Sequence, residues 1–77
     1  MKIVTLISKV ECHLCDEAKA ILLSTQKRVP FTLVEQKIEP GQPEFLQYGE
    51  QVPVVLIDGT FAFRYRVPEH QLIEKLK

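Results

Sequence analysis

The sequence predicts an α/β fold: a mixed four-stranded sheet with flanking helices, in the order β-α-β-short α-β-β-α. Three observations point there. An apolar, β-branched run near the N-terminus passes directly into a segment whose apolar residues recur every three or four positions. A second strand-like run follows, as a parallel strand-helix-strand unit requires. Further along, two more strand-like runs are joined by Asp58-Gly59, a strong hairpin signal.

Each element has its own warrant. Residues 2–7, KIVTLI, carry apolar residues on both faces and are rich in β-branched ones, so this strand should be covered on both sides. A helix is expected over 13–27, with Leu14, Ala18, Ile21 and Leu22 as its apolar stripe. Asp16 and Glu17 stand in its first turns and Lys27 and Arg28 at its end, as the helix dipole favours. Pro30 resets the chain, and 31–36, FTLVEQ, reads as the second strand. Within a stretch rich in proline and glycine, 44–48 can form a short helix closed by Gly49. Val52 to Ile57 is the most apolar run and should be a central strand. Residues 61–66 are its hairpin partner. Alternation would put Phe61, Phe63 and Tyr65 together on one face, in the core, with Ala62, Arg64 and Arg66 opposite. Pro68 suits the first turn of a closing helix carrying Leu72, Ile73 and Leu76. No repeat or linker interrupts this order, so residues 1–77 are expected to form one domain.

Composition narrows the function. Ten Lys and Arg balance ten Asp and Glu, so nothing pulls the chain toward nucleic acid or an anionic membrane. The three aromatics near the end lack the basic field that base stacking would need. No apolar run approaches the length of a membrane span. The opening MKIVTLISK is read as a strand rather than a signal peptide, because no small-residue cleavage site follows. A cytoplasmic monomer is therefore expected. In a reducing compartment, two cysteines serve catalysis or metal binding more readily than a structural crosslink.

Both cysteines lie in Glu11-Cys12-His13-Leu14-Cys15-Asp16, where the first strand gives way to the helix. A Cys-x-x-Cys at such a junction reads as a redox pair. One helical turn separates the thiols, so they can reach disulfide distance with little backbone movement. The free amides at the helix start favour a thiolate at Cys12, and comparable thiols titrate at about 3.5–7.5 rather than about 8.5. Cys12 should be the exposed nucleophile and Cys15 the inward, resolving thiol. Lys9 can add positive charge or contact a ligand, or it can be a solvated loop lysine. His13 can tune the thiolate when protonated, contact a partner, or act as a solvated spacer. Asp16 can relay a proton, or serve only as a first-turn acid. A closed metal site lacks its second half, since His70 is far along the chain.

The cysteine pair, its strand-helix setting and Val52-Pro53 together resemble the thioredoxin superfamily, and within it the small glutaredoxin-like proteins. The resemblance covers essentially the whole chain. It implies a thioredoxin-like fold and matches Lys9, three residues before the first cysteine, to a family lysine. It implies a nucleophilic Cys12, a resolving Cys15 and a cis Pro53. It also implies that Val52 offers backbone groups to a substrate peptide or to glutathione. Two departures stand out. His13-Leu14 replaces the usual Pro-Tyr between the cysteines, and Phe63-Arg64 occupies the place of a glycine pair near the glutathione site. Arg64 can instead meet a carboxylate, or be a solvated strand residue.

The leading reading is a thiol–disulfide oxidoreductase working by dithiol exchange. Its partners would be a disulfide-containing protein or glutathione, together with a thiol reductant system. No tightly bound cofactor is expected, and glutathione would act as a co-substrate. The alternatives are a non-catalytic peptide-binding module that uses the groove around Cys12, Val52 and Pro53, and a metal or iron–sulfur protein.

Overall fold

The computed structural model describes residues 1–77. Its elements are β1 (Ile3–Lys9), α1 (His13–Arg28), β2 (Thr32–Ile38), α2 (Pro43–Tyr48), β3 (Val54–Ile57), β4 (Thr60–Arg64) and α3 (Glu69–Leu76). The sheet order is β2-β1-β3-β4. β1 pairs parallel with β2 and antiparallel with β3, and β3 with β4 is the expected hairpin. This is the mixed four-stranded sheet that the element order predicts, in the thioredoxin-like arrangement that the resemblance implies. No helix is long and apolar enough to cross a membrane.

Because β1 is an inner strand, its successive residues feed two different cores. Val4 and Leu6 pack with Val55 and Phe63 under Ala18 and Leu22 of α1 and Leu72 and Leu76 of α3. Ile7 points the other way, to Ile38, Val54 and Val52, with Phe45 and Tyr48 of α2 against them. Cys15 belongs to this second cluster although it stands on α1. The first turn of α1 therefore lies at the seam between the two cores.

Polar contacts hold the layers in place. The fully buried Thr25 hydroxyl donates to Glu69 at 3.5 Å, and Arg28 reaches the same carboxylate at 3.5 Å, tying α1 to α3. The hairpin turn has φ 51° at Asp58 and 81° at Gly59, the doubly left-handed form that Asp-Gly favours. The Asp58 carboxylate accepts the Ile3 N–H at 2.9 Å, and the Asp58 N–H returns a bond to the Ile3 carbonyl at 2.8 Å. The tip of the hairpin is thus clasped to the start of β1.

Two expectations need correction. β3 starts at Val54 rather than Val52: Pro53 has no N–H for a ladder bond, and the Val52–Pro53 peptide is cis. The aromatic stripe is also broken. Val55 faces Phe63, but the next residue, Leu56, faces Phe61, so Ala62 is an extra residue in a β-bulge. The bulge sends the two phenylalanines to opposite faces. Phe63 is 8% exposed in the core and Phe61 is 53% exposed. Tyr65, beyond the strand, is exposed as well.

The bulge gives unequal costs for the same truncation. Phe63→Ala should lower the free energy of unfolding by about 3–5 kcal/mol, and Phe61→Ala by less than about 1 kcal/mol. Urea denaturation of the two variants measures both, and equal costs would contradict the bulge.

Candidate active site

A cysteine starts α1. Cys12 is the N-cap residue, with extended dihedrals of φ −112° and ψ 103°. Its Sγ accepts the N–H of Cys15 at 3.2 Å, where a serine or aspartate oxygen more often stands. Its carbonyl accepts the N–H of Asp16 at 3.2 Å and opens the helical ladder. Just before it, Glu11 adopts φ 57°, a conformation costly for a residue with a side chain. That turn lets the chain leave β1 and enter the helix within three residues.

Cys12 and Cys15 are joined in a disulfide, with Cα atoms 5.2 Å apart, inside the ordinary range. Cys15 is 3% exposed and packs with Val52, whereas Cys12 is only partly covered. When the pair is reduced, a thiolate at Cys12 Sγ lies at the positive end of a 16-residue helix with a backbone N–H aimed at it.

Val52 and Pro53 form the opposite wall. Both are buried, and Val52 packs in the cluster that holds Cys15. The backbone N–H and C=O of Val52 make no hydrogen bond within the chain. The Pro53 carbonyl accepts the N–H of Tyr65 at 2.8 Å. Tyr65 has φ 68°, and the next N–H, of Arg66, bonds back to the Arg64 carbonyl at 2.8 Å. That is a tight γ-turn of the strained, positive-φ kind. It folds the end of β4 back to hold the Pro53 segment.

The remaining predicted site residues are spread around this centre. Lys9 Nζ donates to the Gly49 carbonyl at 3.0 Å, so the ammonium caps the C-terminus of α2. His13 is almost fully exposed on the first turn of α1, where its Nε2 lies 3.8 Å from Glu17. Asp16 is exposed. Arg64 lies over the Tyr65 ring at 5.5 Å and lines a shallow groove with Glu50 and Gln51. No three His, Cys, Asp or Glu side chains gather as a metal-ligand set would.

Sequence reasoning missed Tyr65 and Arg66. They line a groove against α1, together with Leu14. Tyrosine gives no signal of a positive φ. The only trace in the sequence is Val67-Pro68, which ends the strand run nearby.

The sequence matches the family described as glutaredoxin-like domain (DUF836) over residues 3–77. Among solved structures, a malarial protein aligns with a TM-score of 0.63 at 18% identity, covering 96% of this chain and 91% of that one. Thioredoxin from Aeropyrum pernix aligns with a TM-score of 0.61 at 16% identity, covering 96% of this chain and 71% of its own. With a Cys-x-x-Cys pair at disulfide distance in this fold, the protein carries catalytic thiol–disulfide redox chemistry.

The role of Lys9 can be read without an activity assay. Lys9→Met should remove a charge-assisted bond worth about 1.5 kcal/mol. Hydrogen exchange of the Gly49 and Gln51 amides should then accelerate by about tenfold. Unchanged exchange would show that the lysine does not hold α2.

Proposed function

The chain belongs to the glutaredoxin-like domain family, and from that premise we propose that it reduces disulfides of other polypeptides, with Cys12 as attacking and Cys15 as resolving sulfur. One observation carries this division of labour. Cys12 Sγ receives the Cys15 N–H at the helix N-terminus and is open to solvent on one side, while Cys15 is buried beneath it.

The exchange runs in two steps. The Cys12 thiolate attacks one sulfur of the substrate disulfide along the S–S axis. A Cys12–substrate mixed disulfide forms, and the other substrate sulfur leaves as a thiolate. The Cys15 thiol loses its proton to solvent and attacks Cys12 Sγ. This closes the Cys12–Cys15 disulfide and expels the second substrate thiolate. Two electrons have passed from the pair to the substrate. Two equivalents of glutathione, or one external dithiol, return them by the same chemistry. Because the Cys15 N–H already points at Cys12 Sγ, developing negative charge on that sulfur is met in both directions.

Beside the pair, the free N–H and C=O of Val52 suit an extended substrate backbone, which would bring its own unpaired donor and acceptor. Arg64 stands toward α2, where it would meet a carboxylate of glutathione or of the substrate. The cytoplasm, with its thiol reductants, is the compartment in which this cycle would turn over.

In the reduced protein, iodoacetamide should label Cys12 far faster than Cys15, and its rate should reach half of its plateau below about pH 7.5. A midpoint near 8.5 would remove the thiolate from the argument. Cys12→Ser should abolish exchange. Cys15→Ser should instead accumulate a Cys12 mixed disulfide, visible by mass spectrometry under non-reducing conditions. Failure to accumulate that adduct would deny Cys15 the resolving role.

A further inference from the structure

One face of the sheet is covered only at one end. Phe45 and Tyr48 of α2 pack on Ile7, Ile38 and Val54, toward the C-terminal end of β1. Six residues of helix reach only about 9 Å, so the N-terminal half of this face stays open. The register tells what lies there. Thr5 pairs with Val34 of β2 and with Leu56 of β3, and Leu56 pairs with Phe61 of β4. The four form one row across all four strands, in the order Val34, Thr5, Leu56, Phe61. Val4 and Leu6, on either side of Thr5, enter the core under α1, so this row points the other way. Val34 is 44% exposed and Phe61 53%. Ile3, two residues before Thr5 on the same face, is 47% exposed. The row carries no charge. At its border Lys2 and Asp58 pair with each other at 3.7 Å, and Arg64 lies over the Tyr65 ring.

We propose that this open half-face pairs two copies of the chain, sheet against sheet, in place of the monomer expected from the sequence. Two properties of the patch select a second copy as its occupant. The first is charge. A two-fold pair sets a surface against itself, so unpaired charge on it would meet charge of the same sign. This row has none, and the chain as a whole has ten cationic and ten anionic side chains, so two copies do not repel. The second is shape. A two-fold axis parallel to the strands reverses the row. Phe61 then meets Val34 of the second copy, and Leu56 meets Thr5. The largest side chain of the row stands against its smallest apolar one, as the interdigitation of two packed sheets requires. An axis across the strands would instead set Phe61 on Phe61 and leave a gap between the two valines. Area sets the strength. Four strands about 4.8 Å apart, with three to five residues of each, present on the order of 300 Å² per copy. That is the size of a patch that often marks a contact site. Two of them still fall short of the roughly 1,200 Å² of a lasting complex. The pair is therefore reversible, with a dissociation constant on the order of 100 µM. Both disulfides stay open in it, because the cysteines follow the opposite end of β1.

Sedimentation equilibrium tests this on the full chain in its disulfide form, so that no free thiol can crosslink the copies. Between about 10 µM and about 1 mM, mass action should raise the average mass from 8.9 kDa toward twice that value. Val34→Glu and Phe61→Lys should each raise the dissociation constant by about tenfold or more, because each buries a charge against an apolar partner. The two substitutions together should restore association, since each new carboxylate then faces an ammonium across the axis. Both positions are exposed, and circular dichroism should show all variants folded. A mass fixed at 8.9 kDa throughout would reject the second copy and leave this face to a different partner. A dimer that neither single substitution weakens would overturn the proposal as well. Single losses without rescue in the double variant would overturn the pairing of Phe61 with Val34, and the proposal with it.

Discussion

The N–H of Cys15 donates to Cys12 Sγ, and that single bond serves two ends. It satisfies one of the donors that every helix leaves unpaired at its start, so it helps to set where α1 begins. It also aims a fixed dipole at the atom that must carry negative charge during exchange. A serine at position 12 could cap the helix equally well and would have no disulfide chemistry. A cysteine elsewhere on α1 would have the sulfur without the amide. Fold and reactivity are coupled at this residue because the same electrostatic field acts on both.

The surroundings follow from where that sulfur lies. The sheet buries one face under α1 and α3 and the other only in part, under the six-residue α2. Cys15 belongs to the second, thinner core. Its partners there are Val52 and Ile7, so the pair is backed by apolar packing on one side and open on the other. Lys9 keeps α2 in place by its bond to Gly49, and Tyr65 keeps Pro53 in place by its bond to the proline carbonyl. Neither contact touches the sulfurs. Both hold the walls between which a substrate must pass.

Much of this was legible in the residues. The period-3.6 stripe placed the first helix to within a residue of its observed end at Arg28, and Asp58-Gly59 marked the hairpin turn. The cysteines were found because a Cys-x-x-Cys at a strand-helix junction is a local pattern with a local cause. Ala62 shows what was not legible. A bulge inserts one residue without any turn chemistry to announce it, and a simple alternation then assigns Phe61 to the wrong face. Tyr65 was misplaced for a related reason: its positive φ is imposed by hydrogen bonds at Pro53 and Arg64, not by its own propensity. Lys9 reads from the sequence as a charge for the thiolate, a ligand contact or a solvated loop lysine, and only the tertiary fold reveals its bond to the Gly49 carbonyl 40 residues away.

The clasp between Asp58 and Ile3 joins residues 55 apart and bears on the order of events during synthesis. On a ribosome β1 emerges first, yet its place is inside the sheet, and its β3 edge stays unpaired until residue 54 and beyond have appeared. Up to that point the nascent chain can offer β1, α1 and β2 with a bare row of backbone donors and acceptors along one apolar strand. The most exposed moment in the life of this polypeptide is therefore the interval before its last third is made, when an edge that the finished molecule hides is open to any other strand nearby.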